Sequence, residues 1–345
     1  MSDSPAGRAT STRGLALRVV IGVLITGAFL YTLTRYIDWP RLRTLFAATQ
    51  WDWILYCGVV YVPIYLLRAY RFQLLAPRLG YGPVLAIVCV HNVLLRLLPL
   101  RTGELSYAIL LKRAGGESGI TRGVMSLLLV RILDVGGVVL IFAITLALNQ
   151  SLYKGDAYVG FIVAGGIGVV GVAGVIYFHG LLRLGGRVLA ASIRLLRLDR
   201  SARVGPALSR VHAEIASYER VPWPILIRLV LATLVVWLLN FAFVFAIMRA
   251  FSVKVSVAQS VLGGTASVVS GFLPVSGIGS FGALEAGWAL GFVLVGLETP
   301  IAVATAFGFS IVTLVYAALF GLVGWIWLGA LSRQRRVNNE TATDG

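Results

Sequence analysis

Charge is scarce in this sequence. Only 13% of its 345 residues are Asp, Glu, Lys or Arg, against about 25% in a soluble domain. An ordinary soluble globular protein is thereby excluded. Acids are the scarcer sign: 14 Asp and Glu stand against 30 Lys and Arg, a net charge of +16. There is no Asp-rich diphosphate–magnesium motif, no Gly-x-Ser-x-Gly, and no P-loop. The three histidines, His91, His179 and His212, fall at no metal-ligand spacing. Cys57 and Cys89 both lie in apolar segments and read as packed thiols, not as a disulfide, a metal site or a nucleophile. The expectation is therefore a protein that is not an enzyme and needs no cofactor or metal. Short alternating strands are missing too, which excludes a transmembrane barrel.

What the chain does have is long apolar runs. Hydrophobic residues make up 58% of it and the mean hydropathy is +0.88. The reading is an all-α polytopic membrane protein. Six full spans are expected at about 15–34, 51–67, 121–148, 158–179, 223–248 and 301–329. Residues 1–14, rich in Ser, Thr, Gly and Arg, read as a disordered cytoplasmic tail. The first span lacks a small-residue cleavage site and reads as an uncleaved helix. One membrane domain then covers 15–332, and 333–345 is a second cytoplasmic tail. Within that domain, 181–221 is the one sizeable polar stretch. Arg183, Arg187, Arg194 and Arg197 share a helical face there, which predicts an amphipathic helix on the anionic cytoplasmic leaflet.

Two further pairs of apolar pieces are too short to cross, since about twenty residues are needed. The first pair, 83–98 and 104–111, is broken by Pro99 and Gly103. The second pair, 258–273 and 283–297, is broken over Pro274 to Gly282. Each reads as a re-entrant hairpin. With six crossings and two hairpins both termini are cytoplasmic. Cytoplasmic flanks then carry 21 of the 30 basic residues and external loops 6, the bias the positive-inside rule demands. The excess of Arg beside apolar spans reads as topology signal and contact with anionic headgroups, not as a nucleic-acid surface.

Three arginines remain within the membrane: Arg96, Arg101 and Arg131. Arg96 and Arg101 flank the first break, with Asn92 and Glu104 beside them. Intramembrane charge and irregular backbone are both costly in lipid, so a stretch with both is a site by default. A structural salt bridge between Arg101 and Glu104 is the competing reading. Arg131 and Asp134, three residues apart in the next span, share a face and can pair with each other or with the hairpin. Arg68 and Arg71 end the second span. Arg71 reads as a snorkelling anchor, whereas Arg68 lies nearer the span and can face a headgroup.

The breaks resemble each other. Leu98-Pro99 leads to Glu104, and Leu273-Pro274 leads to Glu285. By the topology above they enter from opposite sides, an inverted repeat that points to a transporter's binding site near the midplane. Gly277 and Gly279 can supply a backbone N–H nest, or serve only tight helix packing. Arg suits phosphate through bidentate charge-assisted bonds. The substrate-binding set is thus Arg96, Arg101, Asn92, Arg68, Gly277 and Gly279. Glu104, Arg131, Asp134 and Glu285 are coupling or ion-pair groups.

Four motifs in order resemble the lysylphosphatidylglycerol synthase transmembrane-region, or flippase-like, family. They are Arg68-x-x-Arg71; Asn92 with Leu98-Pro99-x-Arg101-x-Gly103-Glu104; Arg131-x-x-Asp134; and the Pro/Gly-rich turn from Pro274 to Glu285. That turn reads Pro274-Val-Ser-Gly-Ile-Gly279, where the family more commonly has Pro-Gly-Gly-x-Gly. The resemblance implies a flippase-like membrane domain that moves lipid. Its bacterial multiple peptide resistance members carry an aminoacyl transferase after this domain. The expectation here is the membrane domain without that enzyme, and so translocation and not synthesis.

The leading reading is a multi-pass lipid flippase of the cytoplasmic membrane, carrying an anionic phosphate-bearing lipid, phospholipid or isoprenoid-linked. The alternative is a non-transporting lipid-binding subunit of an envelope-lipid or glycan pathway. Membrane lipids with anionic headgroups are the expected partners. Contacts with envelope-biosynthesis enzymes and a homo-oligomer are both compatible with the sequence, and no nucleic-acid partner is expected.

Overall fold

A computed structural model describes residues 43–44, 46–98, 103–114, 119–149, 221–271 and 282–343. The spans expected at 15–34 and 158–179, the amphipathic stretch up to residue 220, and the tip residues 99–102 and 272–281 lie outside them. Arg101, Gly277 and Gly279 therefore do as well.

The described residues form eight helices: α1 (Trp51–Leu75), α2 (Tyr81–Leu97), α3 (Leu105–Arg113), α4 (Gly119–Leu148), α5 (Trp223–Ala250), α6 (Val257–Gly271), α7 (Ala283–Leu294) and α8 (Thr299–Thr343). No strand occurs among them. Four helices are long and apolar enough to cross a bilayer: Trp51–Leu75, Arg122–Leu148, Trp223–Ala250 and Thr299–Leu331. Their outward faces carry Leu55, Val59, Leu140, Leu231, Leu238, Leu319 and Leu322, all exposed. In water such faces would drive aggregation, and in lipid they are the solvated surface. The protein is an all-helical, multi-pass membrane protein.

Local chemistry sets the breaks. Leu98 closes α2 in an extended conformation (φ −84°, ψ 129°), because the following proline clashes with an α-helical predecessor. α5 opens on Pro222 and Pro224, where the missing N–H groups cost nothing. It closes with Ser252 in the left-handed region (φ 59°) and Val253 N–H on Met248 O at 2.9 Å. α7 closes in the same way through Gly296 (φ 101°), with Leu297 N–H on Phe292 O at 3.0 Å. Both are Schellman caps. α8 runs on past the expected end of the last span, through Arg333 to Thr343.

The order is long, short, short, long, twice over. α1 and α5 lie antiparallel along one another: Gln50 N–H meets Ala250 O at 2.7 Å at one end, and Arg71 meets Thr233 at the other. Tyr61 and Phe243 stack between them with centroids 5.0 Å apart. Each short pair is an antiparallel hairpin. His91 of α2 meets Ser106 of α3, and Ser267 of α6 meets Leu284 of α7. α8 serves both pairs. Its N-terminal half packs on α7 through Trp288 and Thr305, while its C-terminal half packs on α2, where Gly321 and Gly324 lie against Val93, Cys89 and Ala86. The short pairs thus pack on different stretches of α8, one near its start and one near its middle.

Close approach depends on glycine at a few contacts. A Cβ on Gly291 would sit 2.1 Å from Gly263 O, and one on Gly324 would sit 2.8 Å from Ala86 O. Backbone atoms cannot yield at those distances, so α7 seats on α6, and α8 on α2, only with glycine.

Candidate functional site

The charged residues singled out in the sequence converge because three elements turn one face inward at the same level. Arg68 and Arg71 share a face of α1, Asn92 and Arg96 share a face of α2, and Arg131 and Asp134 share a face of α4. All six line one cavity of about 240 Å³. α5 adds Trp237, Asn240 and Phe241. α6 and α7 add Ser267, Ser270 and Trp288, and α8 adds Thr313. The wall is mixed, with apolar surface between isolated polar groups, as ligand sites are.

The charges are arranged in three ways. Arg71 is buried, 2% exposed, and its Nη1 donates to Asp134 Oδ1 at 2.5 Å and to Thr233 Oγ1 at 3.0 Å. Trp237 Nε1 donates to the same Asp134 oxygen at 3.0 Å. α1, α4 and α5 are joined there by a buried pair, although Arg71 Nε has no hydrogen-bond partner among the described residues. This corrects the expectation that Arg71 is a snorkelling anchor: a carboxylate on α4 holds it inside. The pairing also divides Arg131 from Asp134. They point to different partners, and Arg131 Nη2 reaches Glu104 Oε1 of the first hairpin at 3.3 Å. That pair is about one-third exposed (32% and 33%) and single-pronged.

Arg68 is different. Its Nη1 donates to Asn92 Oδ1 at 3.0 Å and its Nη2 to Asn240 Oδ1 at 3.5 Å. Both asparagines are anchored in turn, Asn92 Nδ2 on Val88 O at 2.8 Å and Asn240 Nδ2 on Val236 O at 2.6 Å. The guanidinium is positioned by two neutral amides, and no carboxylate bonds it among the described residues. A half-buried cation held by dipoles keeps its charge for something else.

Arg96 lines the same cavity from α2, one turn beyond Asn92. The start of α3 is fastened to α2 by a relay. Ser106 Oγ donates to Gly103 O at 2.6 Å, so His91 Nδ1, 2.9 Å from Ser106 Oγ, carries the proton and donates to it. His91 is thereby a structural residue and not a ligand.

Glu285 stands in the first turn of α7. One oxygen accepts from Gly282 N–H at 2.7 Å and the other from Ser310 Oγ of α8. The expectation of an ion pair is replaced by a helix cap, since the group it reaches on the next long helix is a hydroxyl and not an arginine. Gly282 itself sits at φ +120°, which a side chain would strain. Among the described residues no group of His, Cys, Asp or Glu is placed to hold a metal.

Sequence reasoning missed the site roles of Trp237 and Asn240. Asn240 is a polar residue inside an apolar span, which was a usable signal. Trp237 looked like any membrane tryptophan.

Several long apolar helices around a cavity lined by arginines define a polytopic membrane protein with a polar site inside its bundle. The chain belongs to the lysylphosphatidylglycerol synthase TM region family, whose sequence profile matches residues 19–321. That membership points to a function connected with membrane lipids. Neither curated proteins nor solved structures provide a match to the chain.

Proposed function

We propose that the protein is a lipid flippase of the cytoplasmic membrane, translocating a lipid with an anionic, phosphate-bearing headgroup, without enzymatic chemistry and without a cofactor. The observation that carries the reading is Arg68, a guanidinium oriented by Asn92 and Asn240 and facing the cavity. Such a group takes phosphate through charge-assisted bonds. Arg96 and Arg131 line the same space and add to the field.

The two short-helix pairs fit the second half of the task. In this reading they are re-entrant hairpins of an inverted repeat, entering from opposite sides, with six full spans around them and both termini cytoplasmic. Their contacts with different stretches of α8, at Thr305 and at Gly321 to Gly324, support it. The headgroup passes between the tips while the tails stay in lipid. Arg71–Asp134 holds the frame, and Glu104–Arg131, partly exposed, is the pair that exchanges when an anion arrives.

The test is headgroup translocation in reconstituted liposomes carrying a fluorescent anionic phospholipid. Arg68→Gln removes the charge and keeps a neutral polar side chain that can still donate a hydrogen bond. It should abolish translocation while the protein stays folded, and Arg101→Ala should do the same. Unimpaired translocation by both variants would refute the assignment. Lipid binding without translocation by the unaltered protein would return the accessory-subunit reading.

A further inference from the structure

The cavity has two unlike poles. The arginines come from α1, α2 and α4. The wall built by α6, α7 and α8 contributes Ser267, Ser270 and Thr313. Among the described lining residues that wall holds no charged group.

The hydroxyls are specialised. Ser267 Oγ donates its hydrogen to Leu284 O at 3.2 Å, and Thr313 Oγ1 donates to Phe309 O at 2.5 Å. Each has spent its only proton on backbone, so what it has left to offer is lone pairs. Both side chains are buried, Ser267 at 4% and Thr313 at 2% exposed. Ser267 and Thr313, two acceptors on an uncharged wall in a cavity whose other wall is cationic, ask for a ligand that is anionic at one end and a hydrogen-bond donor at the other. An ammonium is a poor candidate for that donor. The only carboxylate among the described lining residues, Asp134, is on the arginine side and already holds Arg71 and Trp237. Burying an ammonium without a carboxylate is costly, whereas a neutral hydroxyl is satisfied by a serine or threonine oxygen.

We infer that the site selects a phospho-polyol headgroup, a phosphodiester carrying free hydroxyls such as glycerol or a sugar, over a bare phosphate and over an aminoacylated headgroup. This rests on the proposed lipid-headgroup reading of the same cavity. Phosphate sits at Arg68, and the polyol reaches across to Ser267 and Thr313.

The test is binding by the purified full-length protein, using phosphatidylcholine vesicles doped with phosphatidylglycerol, phosphatidic acid or lysyl-phosphatidylglycerol. Phosphatidylglycerol should bind roughly tenfold tighter than either of the others, the worth of one or two buried hydrogen bonds. Ser267→Ala combined with Thr313→Val should bring phosphatidylglycerol down to the phosphatidic acid level and leave phosphatidic acid unchanged, which also shows that the variant is folded. Thr313→Ser, which keeps the oxygen, should retain the preference. Equal binding of phosphatidic acid and phosphatidylglycerol by the unaltered protein would overturn the inference while leaving the anionic site standing, as would tighter binding of the lysyl lipid. Arg68→Gln should weaken both anionic lipids together. If the unaltered protein binds neither, the lipid-headgroup reading falls too.

Discussion

The two short-helix pairs do the same mechanical job with different chemistry. In the first, Glu104 precedes α3 and reaches Arg131 on the following long helix. In the second, Glu285 opens α7 and reaches Ser310 on the following long helix. The acid is kept, the approach is kept, and the partner changes from a guanidinium to a hydroxyl. The same shift runs through the lining: Arg68, Asn92 and Arg96 on one side, Ser267, Ser270 and Thr313 on the other. One half supplies charge and the other supplies uncharged hydroxyls. A site built in this way places opposite ends of a headgroup on opposite halves of the protein.

The largest stability effect should come from the charged half. Arg71→Leu leaves Asp134 buried without its cation, and should cost about 3–5 kcal/mol in thermal or denaturant unfolding in detergent. Replacing both, as Arg71→Leu with Asp134→Leu, should recover much of that loss. A double variant as unstable as the single would show that the pair is not a unit.

Packing in the uncharged half comes next. Gly291→Ala forces a methyl into Gly263 O and should cost about 1–3 kcal/mol. The control is Gly136→Ala on α4, where nothing lies within 4 Å. It should be neutral or stabilise by up to about 1 kcal/mol through helix propensity. Equal effects of the two would break the claim that close approach holds α6 on α7.

The two acids set the finest contrast. Glu285→Gln weakens a buried cap that also holds Ser310, and about 1–2 kcal/mol should be lost. Glu104→Gln opens a pair about one-third exposed, and less than about 1 kcal/mol should be lost. Its effect should instead appear as altered lipid translocation. The reverse order of stabilities would mean that the first hairpin is held mainly by its ion pair.

Much of this was legible in the sequence, for physical reasons. Apolar runs of sufficient length have few alternatives to helix in lipid, so α1, α4, α5 and α8 were read within a few residues at most ends. Pro99 marked the end of α2 because proline dictates the conformation of Leu98. Arg68, Asn92, Arg96, Arg131 and Asp134 were all flagged by their cost in an apolar context, and the structure brings them to one cavity. Partners were not legible. Which carboxylate Arg71 meets depends on how α1 packs on α4, which no local pattern records. Glu285 looked like an ion-pair group because its charge was visible, whereas its role as a cap depends on where Gly282 N–H and Ser310 fall. The hydroxyl wall was invisible because Ser and Thr cost little in an apolar helix, where each can bond its own backbone.

The central claim is that Arg68 holds a phosphate-bearing headgroup. The direct measurement is the lipid retained by the purified protein, identified by native mass spectrometry for the unaltered chain and for Arg68→Gln. A phosphate-bearing anionic lipid should remain on the unaltered protein and be lost from the variant, with no fall in melting temperature. Equal retention by both, or retention of a neutral lipid by the unaltered protein, would contradict it.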